Sequence, residues 1–384
     1  MKIRILIIVC IIAIIAPVLQ AQLAMGKWRT HFAYNSVSQI AQSENKIFAL
    51  SEGSLFSIDK EDQGMEFYSK MNGLSDNNIS NIAYDTQNKQ LLIVYANGNM
   101  DLMSTGGVVN IPDLYNKQFG TSKTINHVLF NGNNAYLSSN FGVMLLNLSK
   151  AEIADTYYIG TNGADVKVLS TAVQGGFLYA MSGTTIYKGA LNEPNLVNYE
   201  FWTTLSGLPG SGELSKIANF SNKLILMRGN KLYIQDNNQS WSPLFPEISA
   251  TDFSVSNNKM IINGDGSAIY LVDESLKMNA IQNIGAVSDS EFDAARNIYW
   301  LAGNAKGVIS MNATNIANPE IKNYQPLGPA TNAPWQISFS GQKMFVVQGA
   351  RWEVQYQRPG YVMIYENGIW TNIGPEVIKQ QTGK

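Results

Sequence analysis

The sequence predicts an all-β fold, a β-propeller of four-stranded antiparallel blades. Three observations carry that reading. Apolar residues make up 45% of the 384 and charged residues only 15%. The remainder is rich in Asn, Ser, Gly and Thr, the residues that build turns. Beyond the N-terminus no long stretch places apolar residues at helical spacing. A unit of roughly 40 residues, built of short apolar runs, recurs along the chain, the period of a propeller blade.

Eight such units can be read. Their first strands run VSQIAQS from Val37, ISNIAYD from Ile79, INHVLFN from Ile125 and VKVLSTAVQ from Val166, then LSKIANF from Leu214, ATDFSVS from Ala250, DSEFDAA from Asp289 and WQISFSG from Trp335. The second strands are NKIFALS, KQLLIVY, NNAYLSS, GFLYAMS, NKLILMR, NKMIING, NIYWLAG and QKMFVVQ. They are the most continuously apolar, as strands covered on both faces must be. Third strands follow, such as GSLFSID and GNMDLMS. Most units close on a fourth strand with an aromatic: Phe67, Tyr157, Trp202, Trp241, Tyr324 and Trp370. A lone hairpin of this size does not stay folded in water. Ring stacking covers both faces of each sheet and leaves only short edges. Seven blades are expected in the closed ring, with one terminal unit left over. The opening KWRTHFAYN, 27–35, is similar to EFWTTLSGL, 200–208. Trp28 is therefore expected in a strand that closes the ring.

The N-terminus reads as a signal peptide, 1–21. Lys2 and Arg4 form a basic head, 5–19 an apolar core interrupted by Pro17, and Ala21 and Ala24 supply small residues. The apolar run is short for a membrane anchor. Cleavage after Ala21 removes Cys10, the one cysteine, and two basic charges. The formal charge then passes from −2 to −4, 25 basic residues against 29 acidic. No basic stripe or run suggests nucleic acid.

No specific catalytic constellation is present, and neither a cofactor nor a metal is expected. The mature chain has two histidines, His31 and His127. Zincin, nucleophile-elbow and phosphate-loop motifs are missing, and the loss of Cys10 removes thiol chemistry. His127, mid-strand in INHVLF, reads as a hydrogen-bonded structural residue. Asp265 in NGDGSAIY lies between glycines but lacks the further carboxylates of a calcium loop, so it reads as a hairpin turn. The candidate binding residues lie in QGARWEVQYQRPGYVMIY, 348–365, where the second-to-third-strand hairpin of the eighth unit is lengthened. Arg351, Trp352, Tyr356, Arg358 and Tyr361 are the residue types that dominate binding hot spots.

The junctions NGLSDNNISNIAYD, 72–85, and SGLPGSGELSKIA, 206–218, resemble the two-component-regulator propeller repeat. With the signal-peptide start, the Trp-Arg-x-His-Phe opening and the Gly-Leu-Ser junction, the chain over 28–378 resembles the N-terminal β-propeller of the PorZ family, a component of the type IX secretion system of Bacteroidetes. The resemblance implies a non-enzymatic, exported propeller, 28–373, with 374–384 a linker or truncated end toward a second domain. It implies residence in the periplasm or at the outer-membrane surface, peripheral to that membrane. Implied partners are secretion-system proteins such as the PorU sortase, and anionic lipopolysaccharide or another glycan. The repeat resemblance leaves a second function open, a glycan-sensing periplasmic propeller of a hybrid two-component regulator.

Overall fold

A computed structural model describes residues 28–118, 120–349 and 360–375. The expected signal peptide, 1–21, and the end segment from 376 lie outside them. Among the described residues eight four-stranded antiparallel sheets are present, each with its strands in sequence order, and helix is confined to single turns. The span expected as one propeller divides into two compact units. The larger, Tyr34–Pro326, holds seven sheets; the smaller, Met1–Ala33 with Leu327–Lys384, holds the eighth.

In the larger unit the blades span 37–68, 79–111, 125–157, 170–204, 214–244, 250–281 and 287–324. Their first strands neighbour one another in order, and that of blade 7 returns to that of blade 1. The ring is therefore closed. The second strands show why stacking is stable. In blade 2, Leu92 and Val94 pack toward blade 3, with Leu137 and Phe141. Leu91 and Ile93, which point the other way because side chains alternate, pack toward blade 1 with Phe48 and Leu55. All four have no exposed surface. The same division recurs in blade 6, where Met260 and Ile262 face blade 5 and Ile261 faces blade 7. Each fully buried side chain of this size stabilises by about 1.5–3 kcal/mol.

A second repeated feature sits at the start of the first strands. In blades 1, 2, 3, 5, 6 and 7 the register shifts by one residue between the first and third positions, a β-bulge. The extra residue is Asn126 in blade 3 and otherwise Ser38, Ser80, Ser215, Thr251 or Ser288. The first four hydroxyls donate back across the bulge to the carbonyls of Leu50, Val94, Met227 and Asn263, at 3.1–3.3 Å. A small hydroxyl residue thus satisfies an acceptor that the interrupted ladder leaves open. At Asp265 the expected hairpin turn is found, a single turn of 3-10 helix over Asp265–Ser267.

The closing-strand expectation for Trp28 is corrected. Residues 28–34 form no strand, and every sheet draws its four strands from its own unit. Trp28 is 81% exposed. The ring closes instead through side-chain and backbone contacts between complete blades. The amide of Gly307, in blade 7, donates to the carbonyl of Asn35 at 3.1 Å. Tyr34 beside it packs against Phe56 and Phe67 of blade 1, with ring centroids 5.4 and 4.9 Å apart.

Candidate functional site

Each first strand carries a polar residue at the same register position: Gln39, Asn81, His127, Ser170, Lys216, Asp252 and Asp289. Because the seven strands surround the ring axis, these side chains line a common cavity of about 760 Å³. Most lace one blade to the next. Gln39 accepts the Ile82 amide at 2.8 Å, Ser170 accepts the Ile217 amide at 2.9 Å, and Asp289 accepts the Ile40 amide at 3.0 Å. The His127 Nδ1 lies 3.4 Å from the Thr171 amide and from its hydroxyl. That is the structural role expected of this histidine. Burial, reinforced by the nearby Lys216 ammonium, pulls its pKa down to about 4, so the ring is neutral at pH 7.

Lys216 and Asp252 form the charged part of this layer. The ammonium lies 3.0 Å from both carboxylate oxygens. Asp289 and Glu291, two residues apart on blade 7, lack an equally close cation. Burial raises the Asp289 carboxyl and pushes Glu291 up to about 7. The cavity wall therefore carries more acid than base, in groups that already serve as blade-to-blade acceptors. The sequence did hold a signal for this layer, a polar residue at one fixed repeat position within apolar strands. Single-motif searching passes over it because each residue type occurs almost once.

Of the five residues singled out in the sequence, Tyr361 alone is described; Arg351, Trp352, Tyr356 and Arg358 lie outside the described residues. The carbonyl of Tyr361 accepts the Gln348 amide at 3.0 Å, which ties the neck of the loop. Its ring is half-buried against Ala330, Val346 and Met363, with Met344 and Trp370, the small core of the eighth sheet. The connection runs from 348 to 361, fourteen residues, where the seven blades use two to four. In the same sheet the first strand, Gln336–Ser340, is exposed throughout. Ile337 and Phe339, on one face of it, are 53% and 74% exposed, whereas the register equivalents of Ile337 in the ring, Ile82 and Ile217, are 1% exposed.

Comparison with known proteins agrees with this architecture. Residues 47–203 match the family model described as the TSS9, PorZ, N-terminal beta-propeller domain. The solved structure of PorZ from Porphyromonas gingivalis, described as an essential bacterial surface component of the type-IX secretion system, is 25% identical with a TM-score of 0.82. The match covers 94% of this chain and 48% of that one, so the chain spans about half the length of that structure. Extracellular domains of a one-component and a hybrid two-component system from B. thetaiotaomicron match at 13% and 12% identity, with TM-scores of 0.58 and 0.56. These cover 89% and 88% of this chain, and 53% and 47% of their own. At that identity they share the fold. No curated protein matches the chain in sequence. The chain thus resembles PorZ in sequence and in fold, and it shares the propeller fold with those extracellular domains. No helix among the described residues is long and apolar enough to cross a membrane.

Proposed function

We propose that the chain is an exported, non-enzymatic propeller that serves as a recognition scaffold in a type IX secretion and cell-surface attachment complex. The observation that carries this is the PorZ likeness, a family match over 47–203 joined to 25% identity across 94% of the chain. The ring supplies a rigid body, and the contact surface belongs to the eighth sheet. Its long connection brings Arg351 and Arg358 together with Trp352 and Tyr356 in sequence, and Tyr361 anchors the C-terminal end. Guanidinium groups offer forked donors to carboxylate, phosphate or sugar hydroxyls, and aromatics supply contact area at low entropic cost. A secretion-system protein such as the PorU sortase, or anionic lipopolysaccharide, suits that chemistry. The place of action is the periplasmic or outer face of the outer membrane.

The test is capture from outer membranes of a bacterium that has a type IX system, with purified anionic lipopolysaccharide as a second arm. The wild-type chain should retain a secretion-system protein or the glycan, and the double variant Trp352→Ala with Arg358→Ala should lose it. Retention of neither by the wild-type chain, or hydrolysis of a glycan or peptide by the purified protein, would refute the scaffold reading.

A further inference from the structure

The ring has no blade shared between the two ends of the larger unit, so closure rests on the contacts between blade 7 and blade 1. These contacts are unusually polar and centre on one carboxylate. The Gln42 amide nitrogen, from blade 1, lies 3.0 Å from Glu291 Oε2 and donates to the Phe292 carbonyl at 2.7 Å. The Ser256 hydroxyl, from blade 6, meets the same Glu291 oxygen in a very short contact and accepts the Phe292 amide at 3.1 Å. Glu291 therefore joins three blades. The oxygen of the Gln42 amide accepts from the Lys60 ammonium at 3.1 Å, and Lys60 reaches Asp293 at 2.8 Å.

The charged groups around Glu291 are few. From blade 1 there is Lys60, which is already engaged by Asp293. From its own strand there are Asp289 and Asp293, and behind Asp293 lies Arg296 at 3.3 Å. From blade 6 only the neutral Ser256 faces it. Across the cavity Lys216 is held by Asp252. An ionised Glu291 thus sits beside another acid with its nearest cation committed elsewhere. A protonated Glu291 keeps both hydrogen bonds and removes the repulsion.

We propose that the seam between blades 7 and 1 is a proton-operated latch, tightened when Glu291 gains a proton from solvent and loosened when it loses it. Opening the seam exposes the carboxyl to water, where it returns to ordinary acidity, so the open form is favoured as pH rises. Burial, countered in part by the Ser256 hydroxyl and aggravated by Asp289, holds the carboxyl near 7 in the closed ring against an ordinary 4.5. Linkage then makes opening about tenfold easier at pH 8 than at pH 6.

Hydrogen exchange of the full chain, read by mass spectrometry at pH 6 and 8, tests this. Exchange in Val37–Gln42 and Val287–Asp293 is normalised to Leu214–Phe220 in blade 5, which removes the intrinsic pH dependence of exchange. The wild-type seam should lose about tenfold in relative protection between the two pH values. Glu291→Gln, which keeps the size and the hydrogen-bonding capacity, should be protected equally at both. Ser256→Ala, which removes a group that favours the carboxylate, should move the midpoint upward and serves if the first variant fails to fold. A seam with no pH dependence in the wild type, or one that persists in Glu291→Gln or keeps its midpoint in Ser256→Ala, would overturn the latch.

Discussion

At the residue scale, buried ionisable groups set how the ring responds to conditions. His127 is held at about 4 in the fold against 6.5 when exposed. Between those values the unfolded chain binds the extra proton, so this group makes stability rise with pH from about 4 to 6.5. Glu291, about 7 in the fold against 4.5, acts oppositely, and stability falls as pH rises from 4.5 through 7. Thermal unfolding scanned across that range should therefore show a broad, flat optimum in the wild type. His127→Gln should leave only the decline, and Glu291→Gln should sharpen the rise. Identical profiles for all three would show that neither group titrates as its surroundings imply. The Lys60–Asp293 pair is a different case. Both side chains are nearly inaccessible, 2% and 5% exposed. Burial alone raises the Asp293 carboxyl, and the Lys60 ammonium, bonded to it and helped by Arg296, more than reverses that. Lys60→Met leaves the buried Asp293 carboxylate with Arg296 as its remaining cation and should cost about 1–3 kcal/mol by denaturant unfolding. A loss under 1 kcal/mol would mean that the site takes up water.

At the scale of the element, the repeated bulge and the entry to the third strand are the points of least tolerance. Ser80→Ala removes the hydroxyl that bridges the bulge to the Val94 carbonyl, and about 1 kcal/mol should be lost. Gly142 opens the third strand of blade 3 at φ 146°, and a Cβ there would stand 2.1 Å from the Tyr157 carbonyl oxygen. Gly307 opens that of blade 7 with the Tyr324 carbonyl 2.2 Å away. In both blades the fourth strand runs so close that only hydrogen fits. Gly142→Ala should destabilise far more than Ser80→Ala, by roughly 3 kcal/mol or more, since the strand must shift or leave the ladder. Equal melting temperatures for the two variants would contradict that ranking.

For the whole molecule, each ring blade buries both faces against its neighbours, so no blade has a stable core alone. The larger unit should unfold in one cooperative transition, with calorimetric and van't Hoff enthalpies equal for that unit. Leu92→Ala, at the interface of blades 2 and 3, should lower its midpoint by about 2–5 kcal/mol of stability while keeping a single transition. Stepwise loss of blades would show the ring to be a chain of independent sheets. The contact surface proposed above falls within the smaller unit. Trp352→Ala with Arg358→Ala should therefore abolish capture of a partner or lipopolysaccharide without lowering the ring's melting temperature. Lower stability with binding intact would make that loop a packing element.

Much of the fold was legible in the sequence because a propeller blade is written in local terms. Alternation, turn residues and aromatics at strand ends recur with each unit, so strand content and four-strand blades follow from the pattern. The Trp28 segment shows where such reading fails. Its similarity to a fourth strand is local, and whether a strand pairs there depends on an open sheet edge, which complete blades do not offer. The site was less legible for the same reason. The lengthened loop of the eighth unit is a local feature and could be found by length and composition. The polar layer around the ring axis is assembled from residues that stand tens of positions apart, one from each blade. The sequence determined the units and their count, because period and polarity are properties of neighbouring residues. Only the tertiary structure decided that Gln42, Ser256 and Glu291 meet, because ring closure brings together residues 214 and 249 positions apart, and no local pattern specifies which charges then share one buried seam.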